Sequence, residues 1–253
     1  MEFPLQTGPV CLRCGSALAS RSTSAGAVQC RECRMAPPPF IRAASYGIYQ
    51  GRMREAIHAL KYDRLHGVSN GLGRMLAEAI AQLAGEAPEE MLVVPVPLHA
   101  SKYAQRGFNQ SRSLARAALR ILRKSHPAWR LTLASRTLLR QRATESQAGL
   151  TPRQRRINVR GAFAVSDPAR VTAQHVLIVD DILTTGATAR AAARALVEAG
   201  AASVWVATLA RAQRVGGNAF FDTEEDTPLA GASPEAESHA ASSSTIGPAM
   251  PAF

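Results

Sequence analysis

The chain has 253 residues, 46% of them hydrophobic, 19% charged and 5% aromatic. That length allows one globular domain with an appendage, or two small domains. Wholesale disorder and collagen or coiled-coil architectures are excluded, because 18 Gly and 15 Pro are scattered without period through an ordinary apolar fraction. Charge is uneven: Arg214 is the last basic residue, and Asp222, Glu224, Glu225, Asp226, Glu235 and Glu237 follow it. Thirty basic and thirteen acidic side chains therefore give residues 1–214 a net charge of +17, against +11 for the whole chain. All but three of the cations (Lys61, Lys102 and Lys124) are arginine. Arginine pairs with phosphate through a planar fork, so the composition suits phosphorylated ligands or nucleic acid. Arginine-favouring codons of a GC-rich genome and solvated helix faces would produce the same bias. The longest apolar runs, such as Met91 to Leu98, are too short for a bilayer. The start, Met1-Glu2-Phe3-Pro4, lacks the basic and apolar regions of a signal peptide. With only four cysteines, a soluble protein of the reducing cytoplasm without a membrane partner is expected.

Residues 1–36 hold every cysteine, as Cys11-Leu-Arg-Cys14-Gly15 and Cys30-Arg-Glu-Cys33, with fifteen residues between the pairs. This spacing matches a four-thiolate tetrahedral zinc site, Gly15 allowing the knuckle turn. Four cysteines leave no open position, so the zinc would be structural. Disulfides or a redox pair are the competing reading. A zinc-ribbon-like module over 1–36 is thus expected, ending at the stiff Pro37-Pro38-Pro39 linker. Next comes a strand-like piece from Ile41 to Tyr49, then helical spacing in Arg54, Ile57, Leu60 and Lys61 and again in Leu72, Met75, Leu76, Ala79, Ile80 and Leu83. Lys61 has no evident chemical role and reads as a surface lysine.

From 91 to about 211 the pattern is strand, helix, loop, strand, helix, strand. Leu92-Val93-Val94, Val176 to Val179 and Val204-Trp205-Val206 are continuous apolar runs, the mark of parallel strands covered on both faces. Leu114, Ala118, Ile121 and Leu122 share one helical face, and Ala192, Ala195, Leu196 and Ala199 another, which Gly200 should close. The expected fold is α/β, a mainly parallel sheet flanked by helices over residues 40–214, with ligands beyond the carboxyl ends of the strands. Residues 215–253, rich in Ala, Ser, Pro, Gly and acids, read as a disordered acidic tail.

Val176-Leu-Ile-Val-Asp180-Asp181-Ile-Leu-Thr184-Thr185-Gly186-Ala187-Thr188 is the most informative stretch. A buried strand delivers two carboxylates to its end, followed by a small-residue turn and a helix. Gly186 can take a positive φ, Ala187 leaves room at the backbone, and the helix start offers amides to an anion. Thr184, Thr185 and Thr188 add hydroxyl donors. Paired acids beside a phosphate cradle make sense if they accept hydrogen bonds from a vicinal diol, a divalent metal offsetting the charge. A diol next to a monophosphate describes ribose 5-phosphate. A Walker B strand would look similar, but no Gly-Lys phosphate loop accompanies it.

This run resembles the 5-phosphoribosyl 1-diphosphate signature of type I phosphoribosyltransferases. Pro95-Val-Pro97-Leu98 with Arg106-Gly-Phe-Asn-Gln110 resembles the ComF family, competence-associated phosphoribosyltransferase-like proteins that join a zinc ribbon to a type I domain. The likeness spans roughly residues 10–212. It implies Mg²⁺ with phosphoribosyl diphosphate as ligand, Asp180 and Asp181 on the ribose hydroxyls, and residues 184–188 on the 5-phosphate. It implies further that the basic loop carrying His99, Lys102 and Arg106 meets the diphosphate. A nucleophile would displace diphosphate from C1 through an oxocarbenium-like state, with a hood over residues 40–90 holding an acceptor the sequence does not name. DNA or a competence helicase are the implied partners. A non-catalytic binder or a ligand-sensing regulator is the alternative. Glutamine hydrolysis is not supported, because Cys11 belongs to the zinc pair.

Seven arginines (136, 140, 142, 153, 155, 156 and 160) fall between 136 and 160 with only Glu145 against them. Without a hydrophobic period, 141–156 reads as a long mobile loop. By resemblance it closes over the diphosphate with Arg142 as a catalytic cation, its Arg-Ala-Thr144-x-x-Gln147 piece included. A nucleic-acid surface is the rival reading.

Overall fold

The computed structural model describes residues 8–18, 29–62, 66–142, 151–215 and 219–220. Thr144, Gln147 and the chain from 221 onward, where the disordered tail is expected, lie outside them.

Five parallel strands form the central sheet: β1 (Ala43–Ile48), β2 (Glu90–Pro95), β3 (Arg130–Leu133), β6 (His175–Leu183) and β7 (Ser203–Arg211), in the order β1-β7-β6-β2-β3. The three apolar runs sit at its centre. Alternation across the pleat explains their continuity, since each face is covered. Leu177, Val179, Trp205 and Ala207 point to one face, against the helices α2 (Gly51–Tyr62), α3 (His66–Ala81) and α5 (Gln110–Ser125). Val176, Ile178, Val204 and Val206 point to the other, against α7 (Ala187–Glu198). Gly73 of α3 lies so close to α5 that a Cβ there would sit 2.3 Å from the Ala117 Cβ.

Local signals set the ends. Asn109 caps α5 by accepting from the Arg112 N–H at 3.0 Å. Gly200, at φ 90°, turns the chain out of α7, and the Ala201 N–H closes back on Leu196 O at 3.0 Å.

Two expectations need correction. The basic stretch 99–106 is not a loop but a helix, α4 (Ala100–Arg106), which His99 caps. Residues 152–158 also form a helix, α6 (Pro152–Asn158), opened by a reciprocal Thr151–Gln154 capping box with Pro at the first turn. A short helix whose Ile157 stays 62% exposed leaves no hydrophobic period, so only its cap was readable. The 40–90 region, where a hood is expected, supplies the edge strand β1 and packs α3 against the sheet. At the boundary where the acidic tail is expected to begin, β8 (Arg214–Val215) pairs antiparallel with β9 (Ala219–Phe220). The edge strand β3 and an antiparallel pair, β4 (Leu138–Arg140) with β5 (Phe163–Val165), were not anticipated. Near the N-terminus is α1 (Arg31–Met35), starting within the second cysteine pair. Among the described residues no helix is long and apolar enough to cross a membrane.

Candidate functional site

A cleft of about 80 Å³ opens where β2 and β6 end. Its walls carry Lys102 and Arg106 from α4, Gln110 and Ser111 from α5, Arg140 from β4, Lys61 from α2, Asp180 and Asp181 from β6, Thr184 just after β6, and Thr188 from α7. Six of the anticipated residues therefore share one cavity, at the strand ends where α/β folds place ligands.

β6 runs on through both acids to Leu183, so Asp181 is not at a solvent end; it is 6% exposed. Asp180 Oδ1 accepts from the Ser111 hydroxyl at 3.0 Å and from the Asp181 N–H at 2.9 Å. Burial and the adjacent Asp181 charge hold the Asp180 carboxyl well above the usual carboxylate range, although those two donors and Lys61 pull the other way. Asp181 Oδ1 accepts from the Ile182 N–H at 2.8 Å. Its Oδ2 lies 3.4 Å from Lys61 Nζ, an ion pair by distance, yet is buried with no hydrogen-bond donor in good geometry. Gln110 Oε1, on the same cleft, is likewise a buried acceptor without a donor. A ligand bringing hydroxyls, or a cation with its waters, would answer both. The acids and these acceptors fit Mg²⁺ held with a diol.

The turn after β6 contributes to two cavities. Thr184 and Thr188 face the cleft, whereas Thr185 and Gly186 line a second cavity of about 380 Å³ with Cys14, Cys30, Cys33 and Arg211. Gly186 takes φ 75°, as the turn requires, and Ala187 is buried with its N–H donating to Thr185 Oγ1 at 3.2 Å.

His99 and Arg142 stand apart from the cleft walls. His99 Nδ1 accepts from the Ser101 N–H at 3.3 Å, a capping role. Arg142 is exposed and donates to the carbonyls of Asn158 at 2.7 Å and Arg160 at 3.1 Å. Among the described residues of this segment Arg140 reaches the cleft, and its guanidinium also lies 5.6 Å from the Phe163 ring centre.

The four cysteines are free thiols whose sulfurs all lie within 4.8 Å of one another, Cys14 and Cys30 at 3.7 Å. Four thiolates about 2.3 Å from one zinc ion would have separations of this order. Hydrogen bonds from Cys11 and Cys33, with help from Arg211, hold the Cys14 thiol far below its ordinary value, while burial foremost pushes Cys30 up to about 12. The cluster could hold a structural zinc.

Lys61 and Arg211 were missed. Lys61 is 6% exposed, not a surface residue, because it shares the inward face of α2 with Ile57 and Leu60. Its place beside them in the apolar period was the available signal. Arg211 ends β7 opposite Leu183 and is buried at 5% exposure; a cation closing an apolar strand was its only trace.

The phosphoribosyl transferase domain model matches residues 109–219, from the α5 cap to the strands after the cleft. The "DNA utilization protein YhgH" of Salmonella typhi is 35% identical over 184 residues, covering 72% of this chain and 77% of that protein. "Competence protein F" of Haemophilus influenzae is 26% identical over 82% of this chain and 87% of its own length. "Competence protein ComFC" of Bacillus subtilis is 28% identical over 81% and 79%. A parallel sheet of type I phosphoribosyltransferase form, the four-cysteine cluster ahead of it and these relatives together place the chain in the ComF family of phosphoribosyltransferase-like proteins.

Proposed function

We propose that the cleft binds 5-phosphoribosyl 1-diphosphate with Mg²⁺ and transfers its phosphoribosyl group to a nucleophilic acceptor. The observation that carries this reading is the gathering of Asp180, Asp181, Thr184 and Thr188 around one cavity with Lys102, Arg106 and Arg140. Acids to hold a diol, hydroxyls and helix amides to hold a monophosphate, and cations to hold a diphosphate are the groups such a ligand needs. Asp180 and Asp181 accept the ribose 2- and 3-hydroxyls, and Thr184 and Thr188 donate to the 5-phosphate together with the first amides of α7. Lys102, Arg106 and Arg140 stabilise charge as the C1–O bond to diphosphate breaks and a bond from C1 to the acceptor forms. Mg²⁺, held with Asp180 and Asp181, supplies neutralisation of the diphosphate. Positioning and charge account for the catalysis, without a dedicated general base.

The test is diphosphate release from phosphoribosyl diphosphate in the presence of Mg²⁺ and a panel of bases and amines. Release that Asp181→Asn lowers by about two orders of magnitude or more supports transfer. Binding without release for any acceptor supports a non-catalytic ligand sensor instead.

A second reading draws on the relatives' names and on α5, where Arg116, Arg120, Arg123 and Lys124 are exposed along one helix. A role in DNA handling during competence, with DNA or a helicase as partner, would use that stripe. DNA affinity that falls steeply with salt and ignores Asp181→Asn would mark it as separate from the cleft.

A further inference from the structure

Arg211 closes β7 and binds in two directions. On one side its Nη1 donates to the carbonyls of Leu183 at 2.7 Å, Ala212 at 2.8 Å and Thr184. Leu183 and Thr184 are the last carbonyls before the Thr185-Gly186 turn. On the other side its Nε donates to Cys14 O at 3.0 Å and its Nη2 to Ser16 Oγ at 2.5 Å. The cysteine knuckle is itself closed by Cys11 N–H on Ser16 O and Gly15 N–H on Cys11 O, both 2.8 Å. One buried, planar group thus spans two sites that are 167 residues or more apart in sequence, from Ser16 to Leu183. The spacing of its donors is fixed, so acceptors on one side cannot move without shifting or unpairing those on the other. Four thiolates around a dication would carry a net double negative charge, which gives the buried guanidinium a counter-charge in the same module.

We propose that Arg211 is a positioning residue that couples the cysteine site to the phosphate turn, so that metal bound by the four cysteines sets the conformation of residues 183–188 and with it the affinity of the cleft for a phosphate ester. The coupling stands on these hydrogen bonds; its consequence for affinity rests on the ligand reading above. Losing the metal releases the knuckle, withdraws Cys14 O and Ser16 Oγ, and leaves the guanidinium free to let go of the turn.

The test compares the zinc-loaded full chain with the same chain stripped by a chelator. Metal occupancy is followed by zinc content and, after exchange, by the Co²⁺–thiolate absorption band. The first readout is hydrogen exchange without ligand. Residues 184–190 are expected to lose protection on stripping, while Leu92–Val94 and Val176–Val179 keep theirs. Arg211→Met should show the same loss while still loaded, with its Co²⁺ band retained, and no further change on stripping. Arg211→Lys, a cation without the fork, should behave like Met. Should Arg211→Met not fold, Ser16→Ala decides, and is expected to shrink the metal-dependent change. The second readout is ribose 5-phosphate affinity by calorimetry, expected to fall about fivefold or more on stripping. Unchanged exchange at 184–190 after confirmed metal loss overturns the proposal, as does metal dependence that persists undiminished in the variants. If zinc-loaded protein fails to bind ribose 5-phosphate, the ligand reading falls, while the exchange data still decide the coupling.

Discussion

The sheet cleft and the cysteine module lie on opposite sides of one turn and are held together by different physics. The strands behind the cleft bury both faces. Leu177, Ile178 and Val179 are fully enclosed, and backbone pairing carries Asp180 and Asp181 to fixed positions. Among the described residues of the module the buried ones are Cys11, Cys30 and Cys33, with Cys14 and Leu18 partly buried beside them. A segment so poor in apolar area cannot order itself by the hydrophobic effect and depends on covalent or coordinate bonds. The lesson is a division of labour, in which the sheet supplies rigidity and the module supplies a condition.

If that contrast holds, Cys33→Ser should damage one side far more than the other. Structural zinc sites contribute about 10–16 kcal/mol in small peptides, so zinc content should drop from one equivalent toward none and residues 8–18 and 29–36 should become protease-sensitive. The main unfolding transition of the sheet should barely move. A large fall in that midpoint would break the comparison, because it would make the module part of the core.

Lys61→Met probes the sheet side. It leaves Asp181 buried without its cation, and removing one partner of a buried pair costs about 3–5 kcal/mol. The loss should appear in chemical denaturation, and Lys61→Met with Asp181→Asn should recover much of it, since Asp181 then carries no charge to be compensated. Equal losses in the single and double variants would show that Lys61 acts by packing alone.

Asp180→Asn gives the smallest and most diagnostic effect. With its native pKa raised above the unfolded one, Asp180 holds its proton more tightly when folded. Stability should therefore decline as pH rises from the ordinary carboxylate range, near 4, through the native value, and the penalty should persist above it. Each pH unit between the two values is worth about 1.4 kcal/mol. The Asn variant keeps an acceptor for Ser111 and should lose this decline, becoming more stable than the parent at pH 7 while binding ligand less well. That opposition between stability and binding is expected where a site keeps charge at a cost to the fold.

What could be read from sequence follows the same contrast. Continuous apolar runs, the helix faces after Asn109 and before Gly200, and the turn at Gly186 are local patterns, and each located its element. The pairing of the cysteines was legible because metal geometry fixes ligand spacing. Lys61 and Arg211 were not legible, because their roles depend on what long-range packing brings to them: Asp181 lies 120 positions from Lys61, and Cys14 lies 197 from Arg211. His99 and Arg142, expected at the ligand, stand apart from the cleft walls. Their chemistry suited the ligand, but local geometry turned them to a helix cap and to backbone carbonyls. Arg140, two residues from Arg142, reaches the cleft through its pairing with Phe163, which composition does not encode.

The central claim is tested most directly by a crystal structure of the zinc-loaded chain soaked with 5-phosphoribosyl 1-diphosphate and Mg²⁺. The account predicts ribose hydroxyls against Asp180 and Asp181, the 5-phosphate at Thr184 and Thr188, and the diphosphate facing Lys102, Arg106 and Arg140. An empty cleft at saturating ligand, or density that settles elsewhere on the basic surface, would contradict it.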